Sequence, residues 1–281
     1  MLLLVDLDGV VYRASEGVPG VGPALAARAA LGDTVVYVTN NSMFYRGDYV
    51  RRLEAHGAPV GPDCVTSSSR ASALYVRAEL PQARRVLAVG ATGLERELRE
   101  VGLDVVTAAH AATRMGQEGI DGWAAAGHPD VVVAGLDPQV TYLRIAAAAD
   151  CIRAGAPLVA TNKDPVYPTE RGLRPGAGSV VAAIETASRT PARVTLGKPG
   201  PQLLEIAARS AGASLADAVM IGDALTDVAA GRAVGARTVL MLTGVTTREM
   251  ADALSDDERP TRIAADAGAL TAALAELAGG A

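Results

Sequence analysis

Short apolar runs rich in valine and leucine alternate with alanine-rich helical stretches along almost the whole chain, and that alternation limits the folds open to it. The candidate strands are LLLVD (2–6), TVVYVT (34–39), RRVLAVG (84–90), DVVVAG (130–135), PLVAT (157–161), AVMIGD (218–223) and RTVLML (237–242). Helical stretches fall between them at 23–31, 45–57, 69–81, 93–102, 142–155, 178–189 and 201–212. Strand followed by helix, repeated, implies α/β architecture: Rossmann-like, doubly wound parallel sheets with helices on both faces. The strands outnumber what one sheet of this size needs, so two sheets in two domains are expected. Ligands of such folds bind outside the carboxyl ends of the strands. The residues there are Asp6 and Asp8, Thr39 with Asn40 and Asn41, Gly90, Thr161 with Asn162, and Asp223 with Asp227.

Composition narrows the class. With 281 residues, 49% apolar and 20% charged, the chain can bury a full core. A formal net charge of -5 and scattered Lys and Arg argue against a nucleic-acid surface. No stretch approaches the roughly 18 apolar residues of a membrane span. The N-terminus lacks a basic region and Asp6 interrupts its apolar run, so no signal peptide is expected. Cys64 and Cys151 lie far apart, outside any zinc-ligand spacing, as do His56, His110 and His128. Reduced thiols and a cytoplasmic location are the expectation.

The chemistry-bearing stretches sit where the strands end. In VDLDGV, Asp6 and Asp8 are one step apart on a strand, hence on one side of it. Two carboxylates aimed together repel unless a proton, a cation or a basic side chain separates them, so the pair asks for a metal. Asp and Gly also start ordinary turns. In VTNNS (38–42) a hydroxyl, an amide and the backbone N–H groups of a turn suit a phosphoryl anion, although Asn-Asn-Ser alone makes an ordinary turn too. Lys198, between Gly197 and Pro199 just before a helix, can reach a phosphoryl oxygen as a point charge or stay solvated. In VMIGDALTDVAAG, Asp223 and Asp227 can complete an oxygen shell for Mg2+ or cap the following helix. The coincidence of all four, in this order, raises the metal and phosphate readings above the bland ones.

In that order the chain resembles phosphatases of the haloacid dehalogenase superfamily. The four motifs of that family match as DLDGVVY (6–12), VTNN (38–41), GKP (197–199) and GDALTD (222–227). TSSSRASALYV, GLDPQVTY, ATNKDPVYP, GLRPGAGS and LTGVTT resemble its NagD-like, p-nitrophenylphosphatase branch, although the last motif is one residue shorter than the GDRLDTD-like pattern there. The resemblance implies Asp6 as nucleophile, Asp8 as general acid and base, and Thr39, Asn40, Asn41 and Lys198 around the phosphoryl group. It implies Mg2+ held by Asp6, the Asp8 carbonyl and Asp223, with Asp227 as a further candidate ligand. Too little chain separates Asp8 from Thr39 for a folded insertion, whereas the stretch from Asn41 to Lys198 can hold a second α/β unit. The expected division is a core of 1–79 and 189–281 with a smaller α/β cap inserted at 80–188, and a homodimer through the cap is plausible by the same resemblance.

The expected activity is hydrolysis of small phosphate monoesters: phosphoglycolate, glycerol phosphates, sugar phosphates, nucleotides or p-nitrophenyl phosphate. A phosphotransferase or mutase differs only in the acceptor, and a non-catalytic phosphate-binding protein would have little use for all four motifs. A metal-free dehalogenase would need neither Asp8 nor Asp223. A P-loop kinase would need glycines upstream that Lys198 lacks, and GAGSVV (176–181) lacks the third glycine of a dinucleotide fingerprint. The segment TNKDPVYPTERGLRPGAGS (161–179), punctuated by proline and glycine, is expected to be an irregular loop at the carboxyl edge of the cap sheet. On that placement Asn162, Lys163, Asp164 and Arg171 would meet the leaving group, and Lys163 and Arg171 would favour a second anionic group.

Overall fold

The computed structural model describes residues 1–61, 63–125, 127–169 and 172–279. In chain order the strands are β1 (Leu2–Val5), β2 (Tyr12–Arg13), β3 (Glu16–Gly17), β4 (Thr34–Thr39), β5 (Val65–Ser67), β6 (Arg85–Val89), β7 (Asp104–Thr107) and β8 (Val131–Ala134). They continue as β9 (Leu158–Ala160), β10 (Val166–Thr169), β11 (Gly172–Pro175), β12 (Val194–Thr195), β13 (Ala218–Gly222), β14 (Arg237–Met241) and β15 (Arg262–Ala264). The chain divides into two compact units: Met1–Thr39, Gly47–Thr66 and Lys198–Ala281 form the first, and Asn40–Arg46 with Ser67–Gly197 the second.

The first unit carries a six-stranded sheet in the order β15-β14-β13-β1-β4-β5. The strand β1 pairs in parallel with β13 on one side and β4 on the other. The chain therefore winds in one direction from β1 to β5 and in the other from β13 to β15, and the order reverses beside β1. A crevice opens at such a reversal, at the carboxyl ends of the strands. All four residues of β1 are buried, as a central strand covered on both faces requires. Leu3 and Val5 join Tyr37, Val219, Ile221 and Val239 beneath Leu25, Leu53 and Leu274, and the helix Gln202–Ser210 packs on β1 and β4. Each fully buried Leu or Val contributes about 1.5–3 kcal/mol, which fixes β1 firmly and with it the residues that follow.

The second unit has its own five-stranded parallel sheet, β12-β9-β8-β6-β7. Its core gathers Leu87, Val89, Val132, Ala134, Leu158 and Ala160 with Trp123, Cys151 and Ile184. The units break the chain at other points than 80 and 188. The helix Ser68–Glu79 packs against the helix Thr92–Glu100, and β12 completes the second sheet by pairing with β9, so both flanks go with the second unit.

Two local expectations are corrected. The segment 161–179 is not irregular: β10 and β11 form an antiparallel hairpin with Tyr167 opposite Arg174 and Thr169 opposite Gly172. A two-stranded ribbon has only edge strands, which tolerate proline. The helix Ala108–Ala125 has no counterpart in the helical stretches read from sequence, because Gly116, Gly119 and Gly122 interrupt its pattern. Gly119 sits at a kink with φ 71°.

Candidate active site

The strand β1 ends at Val5, and the Asp6 N–H donates to the Ile221 carbonyl at 2.8 Å, extending the ladder by one residue. The chain then turns: the N–H groups of Val10 and Val11 donate to Leu7 O, and Gly9 N–H donates to Tyr12 O at 2.7 Å. Asp8 therefore lies beyond the last residue of the strand, at an isolated bridge to Tyr12 where the turn closes. The Asp6 side chain is buried while Asp8 is exposed. Gly9 has φ +84°, and a Cβ there would overlap the Asp223 carboxylate, so only glycine lets the backbone run this close to that group.

Three other buried charged residues meet beside Asp6. Lys198 Nζ donates to Asp6 Oδ1 at 2.5 Å and forms an ion pair with Asp227 Oδ1 at 2.6 Å. It also donates to the Val38 carbonyl, one residue before Thr39, at 3.4 Å. Asp223, directly after β13, accepts from the Val245 N–H at 2.7 Å. Asp227 Oδ2 accepts from the Ala224 N–H at 3.0 Å, capping the helix Leu225–Ala233 while its other oxygen holds Lys198. One carboxylate oxygen each from Asp6, Asp223 and Asp227 lies within 4.8 Å of the others.

The electrostatics follow from the count of charges. Three carboxylates surround a single ammonium, leaving a net negative cluster away from water. Burial raises the Asp6 pKa well above its ordinary value; Lys198 pulls it down, while Asp227 and Asp223 push it up further. Asp223 is pushed up to about 6 by burial and by Asp227, against the Val245 hydrogen bond. Burial alone would lower the Lys198 pKa, but Asp227 and Asp6 outweigh it and hold the ammonium charged. Asp8 reaches the surface, yet packing around it raises its pKa, against the opposite pull of Arg52 and Lys198. Such a cluster fits a hard divalent cation, which takes oxygen ligands and removes the repulsion.

The other expected site residues are placed separately. Thr39 is buried at the end of β4. Asn41 Oδ1 accepts from the Met43 N–H at 3.0 Å, so its side chain shapes its own turn. In the second unit Asn40, Asn162 and Asp164 come together, with Asn40 Nδ2 donating to both Asp164 oxygens at 3.0 and 3.2 Å. Lys163 donates to Glu185 Oε1 at 2.8 Å, so it is held to the helix Ala177–Ser188. Arg171 lies outside the described residues. Sequence reasoning missed Arg52, whose charge acts on Asp8, and Ser68, which donates to the Asn40 carbonyl at 2.6 Å. Nothing marks Arg52 in sequence, whereas the unusual run TSSSRAS signalled Ser68 without saying what it would bind.

A family model described as haloacid dehalogenase-like hydrolase matches residues 3–104 and one described as HAD-hydrolase-like matches 195–270. An acid sugar phosphatase of Staphylococcus aureus is 32% identical over 275 residues, which cover 98% of this chain and 96% of that protein. The chain belongs to the haloacid dehalogenase-like hydrolases. Among solved structures, a p-nitrophenyl phosphatase from Archaeoglobus fulgidus superposes with a TM-score of 0.84 at 29% identity, covering 97% of this chain and 98% of that one. A glycerol phosphate phosphatase from Mycobacterium tuberculosis, in complex with magnesium, superposes with a TM-score of 0.80 at 34% identity, covering 96% of this chain and 75% of that one. These neighbours agree with the NagD-like, p-nitrophenylphosphatase branch of the family.

Proposed function

We propose that this hydrolase is a Mg2+-dependent phosphatase that cleaves small phosphate monoesters through an aspartyl-phosphate on Asp6. The observation that carries the reading is the buried cluster in which Lys198 bridges Asp6 and Asp227 while Asp223 completes a three-carboxylate corner. The ester class is supported by the phosphatases the chain resembles, which are named glycerol phosphate phosphatase, acid sugar phosphatase and p-nitrophenyl phosphatase.

The residues divide the work as follows. The Asp6 carboxylate attacks phosphorus in line, the P–O bond to the leaving group breaks, and one difficult displacement becomes two easier ones. Asp8, with a raised pKa that favours the acid form, gives its proton to the leaving oxygen and takes one from the water that hydrolyses the aspartyl-phosphate. Thr39, Asn40 and Asn41 at the end of β4 and the charged Lys198 hold the remaining phosphoryl oxygens. Asp227 keeps Lys198 in place and charged. Asp6, Asp223 and the Asp8 carbonyl would hold Mg2+, with Asp227 as a fourth candidate; when bound, the cation offsets the repulsion between anionic nucleophile and anionic ester.

Selection of the leaving group is assigned to Lys163 and Arg171 of the 161–179 segment, which follows β9. The same proposal places the enzyme in the cytoplasm, in keeping with free, buried Cys64 and Cys151. It includes a homodimer through the second unit, where Tyr142, Leu143 and Leu173 are exposed; light scattering at micromolar concentration would report the mass. No helix among the described residues is long and apolar enough to cross a membrane.

The test is a panel of esters (p-nitrophenyl phosphate, glycerol 3-phosphate, glucose 6-phosphate, phosphoglycolate) assayed with Mg2+, with EDTA, and with EDTA followed by excess Mg2+. Turnover that EDTA abolishes and Mg2+ restores is expected. Turnover indifferent to chelation, or none on any ester, would refute the proposal.

A further inference from the structure

The phosphoryl-binding turn is anchored from a direction the family motifs do not name. Residues 40–46 follow Thr39 in the chain but belong to the second unit, and its side chains grip them at successive points. The Asn40 carbonyl accepts from Ser68 Oγ at 2.6 Å and from Asn162 Nδ2 at 2.7 Å. The Asn40 side chain donates to both oxygens of Asp164. The Ser42 carbonyl accepts from Ser69 Oγ at 2.8 Å, and Ser42 Oγ accepts from the Leu136 N–H at 3.1 Å. Asn162 and Asp164 are themselves tied, the Asp164 N–H donating to Asn162 Oδ1 at 3.1 Å. Gly197, one residue before Lys198, donates to the Thr161 carbonyl at 2.8 Å. A Cβ on it would come within 2.6 Å of both Asn40 Oδ1 and Asn162 Cβ, so glycine is required there too.

Resting on the phosphatase reading above, we infer that Asp164, Asn162 and Ser68 are positioning residues that hold residue 40 for the phosphoryl group. They do not choose among leaving groups. The Asn40 carbonyl and side chain are both fixed by partners from elsewhere in the fold, and Asn162 and Ser68 are buried. A peptide plane held at its carbonyl has little freedom left to turn, so the Asn41 N–H across the plane from the Asn40 carbonyl keeps one direction. The Asp164 contact holds the Asn40 side chain beside it. Donors fixed before the charge arrives need no reorganisation when it does. The Asp164 contact is charge-assisted and two-pronged, the stronger class of hydrogen bond. Gly197 adds a second consequence: it packs on the same two asparagines, so the clasp also leaves no room for a side chain at the residue before Lys198. A residue acting this way influences every substrate through residue 40 and the phosphoryl group they share, and its loss is felt equally by all esters.

The experiment measures kcat/KM on p-nitrophenyl phosphate, glycerol 3-phosphate and glucose 6-phosphate, and the competitive inhibition constant of inorganic phosphate, for wild type, Asp164→Ala, Asn40→Ala and the double variant. Asp164→Ala should lower kcat/KM by the same factor on all three esters and raise the phosphate inhibition constant about tenfold, the usual scale for outer-shell partners. In the Asn40→Ala background the Asp164 change should add almost nothing, because the two act through one bond. A loss of folded protein would lower kcat alone and leave the phosphate constant untouched, so that constant separates positioning from stability. If Asp164→Ala does not fold, Asp164→Asn keeps the shape with one acceptor oxygen, and a smaller rise in the phosphate constant is expected. An ester-dependent loss, a phosphate constant unchanged in either variant, or effects that multiply in the double variant would overturn the inference. Should the wild type turn over no ester with Mg2+, the phosphatase reading fails by itself. Calorimetry of inorganic phosphate with Mg2+ on wild type and Asp164→Ala then decides the clasp, equal affinities overturning it and weaker binding by the variant sustaining it.

Discussion

At the residue scale the site is governed by a mismatch of charge: Asp6, Asp223 and Asp227 against Lys198, all buried. Protons and a divalent cation compete to relieve it. Asp223, pushed up to about 6, is protonated in much of the metal-free protein below that pH. Its folded pKa lies above the unfolded value. Its contribution to metal-free stability is therefore fully present below the unfolded pKa and lost as pH rises through 6. Magnesium needs the carboxylate, so binding below pH 6 must expel a proton. Calorimetric titration with Mg2+ in buffers of different ionisation enthalpy should show proton release at pH 5.5 and affinity rising with pH through 6; affinity flat from pH 5 to 7 would contradict this. Asp6, Asp223 and Asp227 were legible in sequence because they follow recognisable strands, and Lys198 because it stands between Gly197 and Pro199 just before a helix. Their partners were not, since a hydrogen bond such as Asp227 to Ala224 depends on how the turn closes. The strand itself ends at Val5, so Asp6 and Asp8 both lie past the residues to which a strict period-two reading applies.

At the element scale two contacts can be tested, one at the site and one at the start of a helix. The first is the crossing of the Gly9 turn over Asp223. Gly9→Ala should destabilise the protein by about 1–2 kcal/mol from the left-handed backbone alone. It should also raise the Mg2+ concentration needed for half-maximal activity, because the added methyl displaces the Asp223 carboxylate; an unchanged Mg2+ requirement would show that the close approach is incidental. The second is Glu97, fully buried, which accepts from the Arg46 backbone N–H and guanidinium at 3.2 and 2.6 Å and so fixes the start of the helix Arg46–Ala55. Glu97→Gln leaves Arg46 only its Glu100 pair. The expected loss is roughly 3 kcal/mol, read from urea unfolding, at the low end for a broken buried pair since Arg46 is partly exposed. A change below ~1 kcal/mol would show that the helix start is held by packing instead. The main strands and most helices were readable because their apolar runs have one clear period. The hairpin of β10 and β11 and the helix Ala108–Ala125 were hidden by the prolines and glycines that ordinarily mark loops, since whether such residues break an element or sit at its edge depends on what packs beside it.

At the scale of the whole molecule, each of two doubly wound units reverses its strand order once, and the charged cluster sits at the reversal of the first. The number of units followed from the count of strands. Their borders did not, because Ser68–Glu79 and Val194–Thr195 read as continuations of the first unit in sequence but pack in the second. The same misplacement hid the anchoring of residue 40, which joins Asn40 to a residue 124 positions away, a distance no local pattern spans. The central claim is that a phosphoryl group passes through Asp6. It is tested by mixing Asp8→Asn protein with p-nitrophenyl phosphate and Mg2+, quenching in acid within milliseconds to seconds, and mapping the peptides by mass spectrometry. Loss of the general acid and base should slow turnover by about 10²–10⁴-fold and leave a phosphorylated N-terminal peptide modified at Asp6, absent from an Asp6→Asn control. Phosphorylation at any other residue, or an Asp6→Asn protein that keeps wild-type turnover without deamidation, would contradict the account.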